Sequence, residues 1–137
     1  MSVVPVVRHL IACKKEPALS GADPSVHEIL YAVRPKANLQ YPVWLRPYYL
    51  FAMVADGMGV CRFHAEMRLV ELDEEAIEIE TLVTTSTPDS TDLGNRRLRL
   101  RFLSIQMPPA LLPQRGVYRI YLICEDQEIG VETIHAR

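Results

Sequence analysis

Val60-Cys61-Arg62-Phe63-His64-Ala65-Glu66-Met67-Arg68-Leu69 decides the fold class. Cys61, Phe63, Ala65, Met67 and Leu69 alternate strictly with Arg62, His64, Glu66 and Arg68. Successive side chains of a strand point to opposite faces, so this order makes one apolar face and one polar face. A helix of 3.6 residues per turn would mix the two classes around its cylinder. The stretch reads as a β-strand with its apolar side on a core.

The same period recurs on either side of it. Leu98, Leu100 and Phe102 alternate with Arg97, Arg99 and Arg101, and the parity then switches to Leu103, Ile105 and Met107, as at a β-bulge or in a strand covered on both faces. Tyr118, Ile120, Leu122 and Cys124 form one face of a further strand. The chain then turns at Asp126-Gln127 and returns through Ile129, Val131 and Thr133, with Glu128 and Glu132 opposite, as a terminal hairpin. Nearer the N-terminus, Val3–Ala12, Ile29–Val33 and the nearly continuous apolar run Tyr48–Ala55 read as strands, Pro5 marking an edge or a strand start. Asp56-Gly57-Met58-Gly59 is a turn, and Ile77, Ile79 and Thr81 give one more strand. The expectation is an all-β chain: a two-sheet antiparallel β-sandwich, immunoglobulin-like or C2-like, of about 7–8 strands, as one domain spanning residues 1–137.

Four segments read as connections. Lys15–Ser25 is a surface loop, and Arg34–Pro47 a proline-rich crossing segment anchored by Tyr41 and Trp44. Thr84–Asn95 is the expected mobile loop. Pro108, Pro109 and Pro113 exclude a ladder strand from Met107–Gly116.

Composition bounds the function. Hydrophobic residues make up 49% and charged residues 23% of the 137 positions, enough to close a core without metal or disulfide staples. A net charge of −2 gives no electrostatic reason to expect nucleic acid or an anionic membrane as a partner. Three scattered cysteines make no disulfide framework, which fits reduced thiols and a cytoplasmic location. Leu10-Ile11-Ala12-Cys13 matches a lipoprotein cleavage site locally, but Met1–Val7 has no Lys or Arg, and Pro5, Arg8 and His9 break the apolar stretch. No apolar run approaches membrane-helix length.

Chemistry-bearing residues are few. Cys61 and His64 are zinc-ligand types, yet a spacing of three on a strand sends them to opposite faces. His9, His27 and His135 have no ligand-spaced partner in sequence. Lys14 and Lys15 beside Cys13 would favour its thiolate, but no cysteine-hydrolase signature surrounds it. Asp56, Asp89, Asp92 and Asp126 lie in loops where a sandwich can gather calcium ligands, without the dense Asp-x-Asp pattern. No catalytic residue, cofactor or metal site is therefore assigned. Arg97, Arg99 and Arg101, with Arg96 before them, form a basic stripe for an anionic partner, or else an outer face paired with Glu66, Glu78 or Glu80.

The pattern of Tyr48–Val54, the Asp56–Gly59 turn, the Val60–Leu69 strand, Gly116-Val117-Tyr118-Arg119-Ile120 and the hairpin through Asp126 to Val131 resembles an uncharacterised bacterial family of β-sandwich domains of unknown function, over roughly Pro42–His135. The resemblance implies the sandwich fold and carries over no functional residue.

These readings converge on a non-enzymatic binding or interaction module that self-associates, as a homo-oligomer, or binds another protein through a sheet face or edge. Strands apolar on both faces need a second cover. That points to Tyr49 and Phe51, Tyr121 and Ile123, together with Trp44, as the interaction surface. The alternative is a small-molecule-binding protein or hydrolase with a pocket at one sandwich end, near Thr84–Asn95 and Asp56–Gly59. A nucleic-acid binder using the arginine stripe is the weaker alternative.

Overall fold

The computed structural model describes residues 2–20, 23–36, 40–96 and 99–137. Among them every regular element is a strand: β1 (Val6–Cys13), β2 (Ala32–Val33), β3 (Val43–Leu45), β4 (Tyr48–Ala55), β5 (Val60–Leu72), β6 (Glu78–Thr85), β7 (Asp89–Asp92), β8 (Arg101–Met107), β9 (Ala110–Leu112), β10 (Gly116–Cys124) and β11 (Gln127–Ala136). The eleven strands form three sheets. One has the order β1-β4-β8, the second β2-β11-β10-β5-β6 with β7 also on β5, and the third is the pair β3-β9. Every pairing is antiparallel except β2 with β11. No helix among the described residues is long and apolar enough to cross a membrane.

The core joins the inner faces of the two larger sheets. Cys61, Phe63, Ala65, Met67 and Leu69 of β5 are all nearly inaccessible, as their alternation requires, and they meet Tyr48, Leu50, Ala52 and Val54 of β4 in one cluster with Tyr118, Ile120 and Leu122 of β10. Tyr118 adds a clasp, its hydroxyl donating to the Gln114 carbonyl at 2.6 Å, four residues upstream.

Along one side the two large sheets approach closely where β11 passes β1. Gly130 sits there without a side chain, and a Cβ on it would stand 3.2–3.4 Å from the Val7 and Leu10 side chains. Gly57 in the β4–β5 turn is similarly enclosed, with its missing Cβ only 2.8 Å from that of Pro5. On the other side no ladder joins the sheets among the described residues. The strand β8 pairs with β4 alone, and β6 and β7 pair with β5 alone.

Several local expectations need correction. Residues 84–95 are not a free loop: β7 pairs with β5 from Val60↔Asp92 to Phe63↔Asp89. The prolines at 108 and 109 do not exclude a ladder strand; they interrupt one. Tyr48 faces Met107, and three residues further on Leu45 faces Ala110 in continued register. A proline lacks the N–H a rung needs, so the ladder lapses at Arg46-Pro47 and Pro108-Pro109 and resumes as β3–β9. In β11 a bulge opposite Leu122/Ile123 shifts the phase, so that Glu132 lies opposite Ile120 and Val131 is exposed. Around residue 30 the inward residue is Leu30, while Ile29 and Tyr31 are exposed. The hairpin turn at Glu125 and Asp126 manages without glycine because both residues take positive φ, 50° and 65°, as a type I′ turn requires.

Candidate functional site: the open edge of β8

The parity switch after Arg101 sets up this site. Arg101, Leu103, Ile105 and Met107 lie opposite Val54, Ala52, Leu50 and Tyr48, and so belong to the inner face of their sheet. Phe102, Ser104 and Gln106 belong to the outer face. One edge of β8 is hydrogen-bonded to β4, and among the described residues the other has no strand paired to it. In such an antiparallel edge every second residue turns its N–H and C=O away from the sheet.

A groove of about 750 Å³ runs along that free edge. Six consecutive residues, Phe102–Met107, line it. Residues of alternating faces can border one cavity only if the cavity follows the strand edge. Phe63 supplies floor from β5, with Leu103 and Met107 beside it, and all three are buried. The opposite wall is Thr85, Thr87, Pro88, Asp89 and Thr91. Ser86 fixes this wall: it is 3% exposed, its Oγ accepts the Ala65 N–H at 2.8 Å, and its own N–H donates to the Ala65 carbonyl at 2.9 Å. Pro47, Pro108 and Pro109, where the ladder lapses, stand at one end.

Arg101 stands at the other end. The last lining residues there are Phe102 and Thr91, and one step beyond them the Arg101 Nη2 reaches across to the Leu93 carbonyl at 3.5 Å. Its Nε is buried without a hydrogen-bond partner, and among the described residues no carboxylate pairs with its guanidinium. The arginine stripe is thus dispersed. Arg101 turns inward, Arg99 is exposed ahead of β8, and Arg97 lies outside the described residues.

The glutamates expected to face that stripe serve two other arginines. Arg68 on β5 and Arg119 on β10 lie directly opposite each other. Arg68 bonds Glu66 at 2.8 Å, Glu80 at 3.1 Å and Glu128 at 2.7 Å, while Arg119 bonds Glu78 at 2.9 Å and Glu80 at 3.1 Å. The Tyr121 hydroxyl also donates to Glu80, and the Arg68 guanidinium lies 4.2 Å from the centre of the Tyr121 ring. Tyr121 and Arg68 hydrogen bonds hold the Glu80 and Glu66 carboxyls, respectively, below the usual carboxylate range. Every charged group in this network has a partner, so it braces the sheet's outer face.

The residues proposed as an interaction surface separate. Phe51 and Ile123 are each 5% exposed, Phe51 stacking on Phe102 with ring centroids 6.2 Å apart, so the protein itself supplies their cover. Tyr49 and Tyr121 are half-buried. Trp44 is 69% exposed and faces the exposed Leu111 across β3–β9.

Of the metal and nucleophile candidates, Cys61 is buried and His64 lies 3.4 Å from Glu66 on the outer face. Cys13 is fully buried at the end of β1, and burial raises its pKa despite the neighbouring lysines. The four aspartates are apart in role. Asp56 reaches Arg8 at 3.8 Å, Asp89 and Asp92 cap the backbone N–H groups of Ser90 and Gly94, and Asp126 forms the hairpin turn. Among the described residues no three His, Cys, Asp or Glu side chains are grouped as metal ligands. No protein-family model matches the sequence, and no curated protein matches it.

Sequence reasoning missed the free edge of β8. The signal available was the parity switch at residues 102–103 together with a proline pair just beyond, where the ladder with β4 lapses.

Proposed function

We propose that the protein is a non-enzymatic interaction module on an immunoglobulin-like or C2-like two-sheet sandwich, which receives an extended segment of a partner protein along the free edge of β8. The observation that carries this reading is the groove lined by six consecutive residues of a strand whose outer edge has no partner among the described residues. An added strand satisfies the outward N–H and C=O groups, and alternate side chains enter the apolar floor. Core residues drawn from two sheets and the Tyr118–Gln114 clasp support the fold assignment. Three unpaired thiols suit a reducing, cytoplasmic setting.

Asp89 is the single ionisable side chain among the lining residues. Nucleophilic or acid–base catalysis would call for a second group within hydrogen-bond reach of it. A small-molecule ligand in the same groove is the competing occupant; the threonine wall favours it, whereas the Asp56–Gly59 turn does not line the groove.

Selection from a displayed library of random extended decapeptides tests the reading. Binders should be enriched, and Thr91→Trp, which fills the groove from an exposed wall strand, should abolish their binding. Enrichment no better than on a control sandwich, or binders indifferent to Thr91→Trp, would overturn it.

Self-association is a second element of the proposal, and the exposed Trp44–Leu111 pair supports it. Exposed tryptophans are typical anchors of protein interfaces.

A further inference from the structure

We infer that the segment received by β8 carries one basic residue, a lysine or arginine, on its inward row, paired with Asp89. The inference rests on the reading of β8 as a docking edge, and it adds the chemistry of the occupant.

Position carries the argument. Across the β5–β7 ladder Asp89 lies opposite Phe63, and Thr91 opposite Cys61. Phe63 and Cys61 are buried residues of the inner face, so Asp89 and Thr91 belong to that face too. Asp89 therefore stands on the core side of its sheet, at an edge, beside the apolar floor of the groove. Its Oδ1 accepts the Ser90 N–H at 2.9 Å, and among the described residues no lysine, arginine or histidine pairs with it. Arg101, just past the end of the groove, is directed to the Leu93 carbonyl instead.

Closure then sets the requirement. In the free protein Asp89 is exposed, and water solvates its carboxylate. A segment lying along Phe102–Met107 covers the floor and takes that water from the inner side of Asp89. A carboxylate desolvated without a partner is costly, and a cation brought by the occupant offsets the loss. A wholly apolar segment is thus disfavoured, and an acidic one is rejected. The other inward side chains of the segment meet Phe63, Leu103 and Met107, so the inward row is apolar apart from that one base.

The test uses peptides selected on the whole chain, in which each lysine or arginine is replaced in turn by glutamine. One replacement should weaken binding about tenfold, the size of one charge-assisted hydrogen bond. On Asp89→Asn, which keeps an acceptor for the Ser90 N–H, the same replacement should cost nothing. Asp89→Lys should reverse the preference, binding the peptide best when glutamate stands at that position. An equal cost on the natural and D89N proteins, or tight binders sharing no basic residue, would overturn the pairing with Asp89. The docking edge would still stand if those peptides protect the amides of Phe102–Met107. If no selected peptide protects those amides, both readings fall. Decylamine is a further probe: displacement of the peptide from the natural protein but not from D89N, without protection of the β8 amides, would replace the peptide by a small amphipathic amine.

Discussion

Arg68 and Arg119 face each other across the β5–β10 ladder, and Glu80 lies between them at 3.1 Å from each. Like charges at directly opposed positions destabilise an antiparallel pair. The shared carboxylate reverses the sign, and the Tyr121 hydroxyl orients it. Glu80→Gln should therefore destabilise the protein by about 1–3 kcal/mol, as loss of charge-assisted bonds at a half-buried site does. Urea unfolding at pH 7 measures this, and an unchanged midpoint would show the bridge to be idle.

The same network predicts a pH dependence. Glu66 and Glu80 have folded pKa values below their unfolded values. Depressed carboxyl pKa values contribute stability that is fully present above the unfolded value of about 4.3 and is lost as pH falls through the folded ones. Urea midpoints should thus be flat from about pH 7 to 5 and fall below it, and Glu80→Gln should reduce that slope.

Two buried tyrosines separate a satisfied hydroxyl from an orphan. The Tyr118 hydroxyl bonds the Gln114 backbone, whereas the hydroxyl of Tyr48 has no partner among the described residues. Tyr118→Phe should cost about 1–2 kcal/mol, and Tyr48→Phe should be neutral or stabilising. Equal losses in thermal or urea unfolding would contradict the assignment.

Cys13, Cys61 and Cys124 are all buried, and burial pushes their thiols up, Cys124 to about 12. The thiolate is the reactive form, so a maleimide at pH 7.5 should label none of the three until the protein unfolds. Fast labelling of Cys13 in the folded protein would revive it as a nucleophile.

Trp44 and Leu111 are exposed and lie opposite each other on the β3–β9 pair. Sedimentation at high protein concentration should show a dimer for the natural protein and a monomer for Trp44→Ser, with unfolding of the monomer unaffected. A monomer in both cases removes the self-association proposal.

What could be read in advance follows from period and length. The thirteen-residue β5 has long, strict alternation, and its inner face was legible residue by residue. Three-residue strands such as β3 and β9 carry too few residues to display a period, and flanking prolines argued against them. Asp89-Ser90-Thr91-Asp92 has loop composition, and only its pairing with β5 makes it a strand. Tyr49, Phe51, Tyr121 and Ile123 were recognisable as apolar on a second face, but what covers them is a matter of tertiary packing. Arg101 was visible as one of a basic series; that it turns inward depends on the phase change at β8, and the unpaired edge depends on topology, which no local pattern encodes.

Hydrogen exchange along β8 tests the docking edge most directly. In the free protein, alternate amides of Phe102–Met107 should exchange slowly, bonded to β4, while those between them exchange fast. A saturating selected peptide should slow the fast set as well. Uniform protection in the free protein, or a fast set that stays fast when the peptide is bound, would contradict the account.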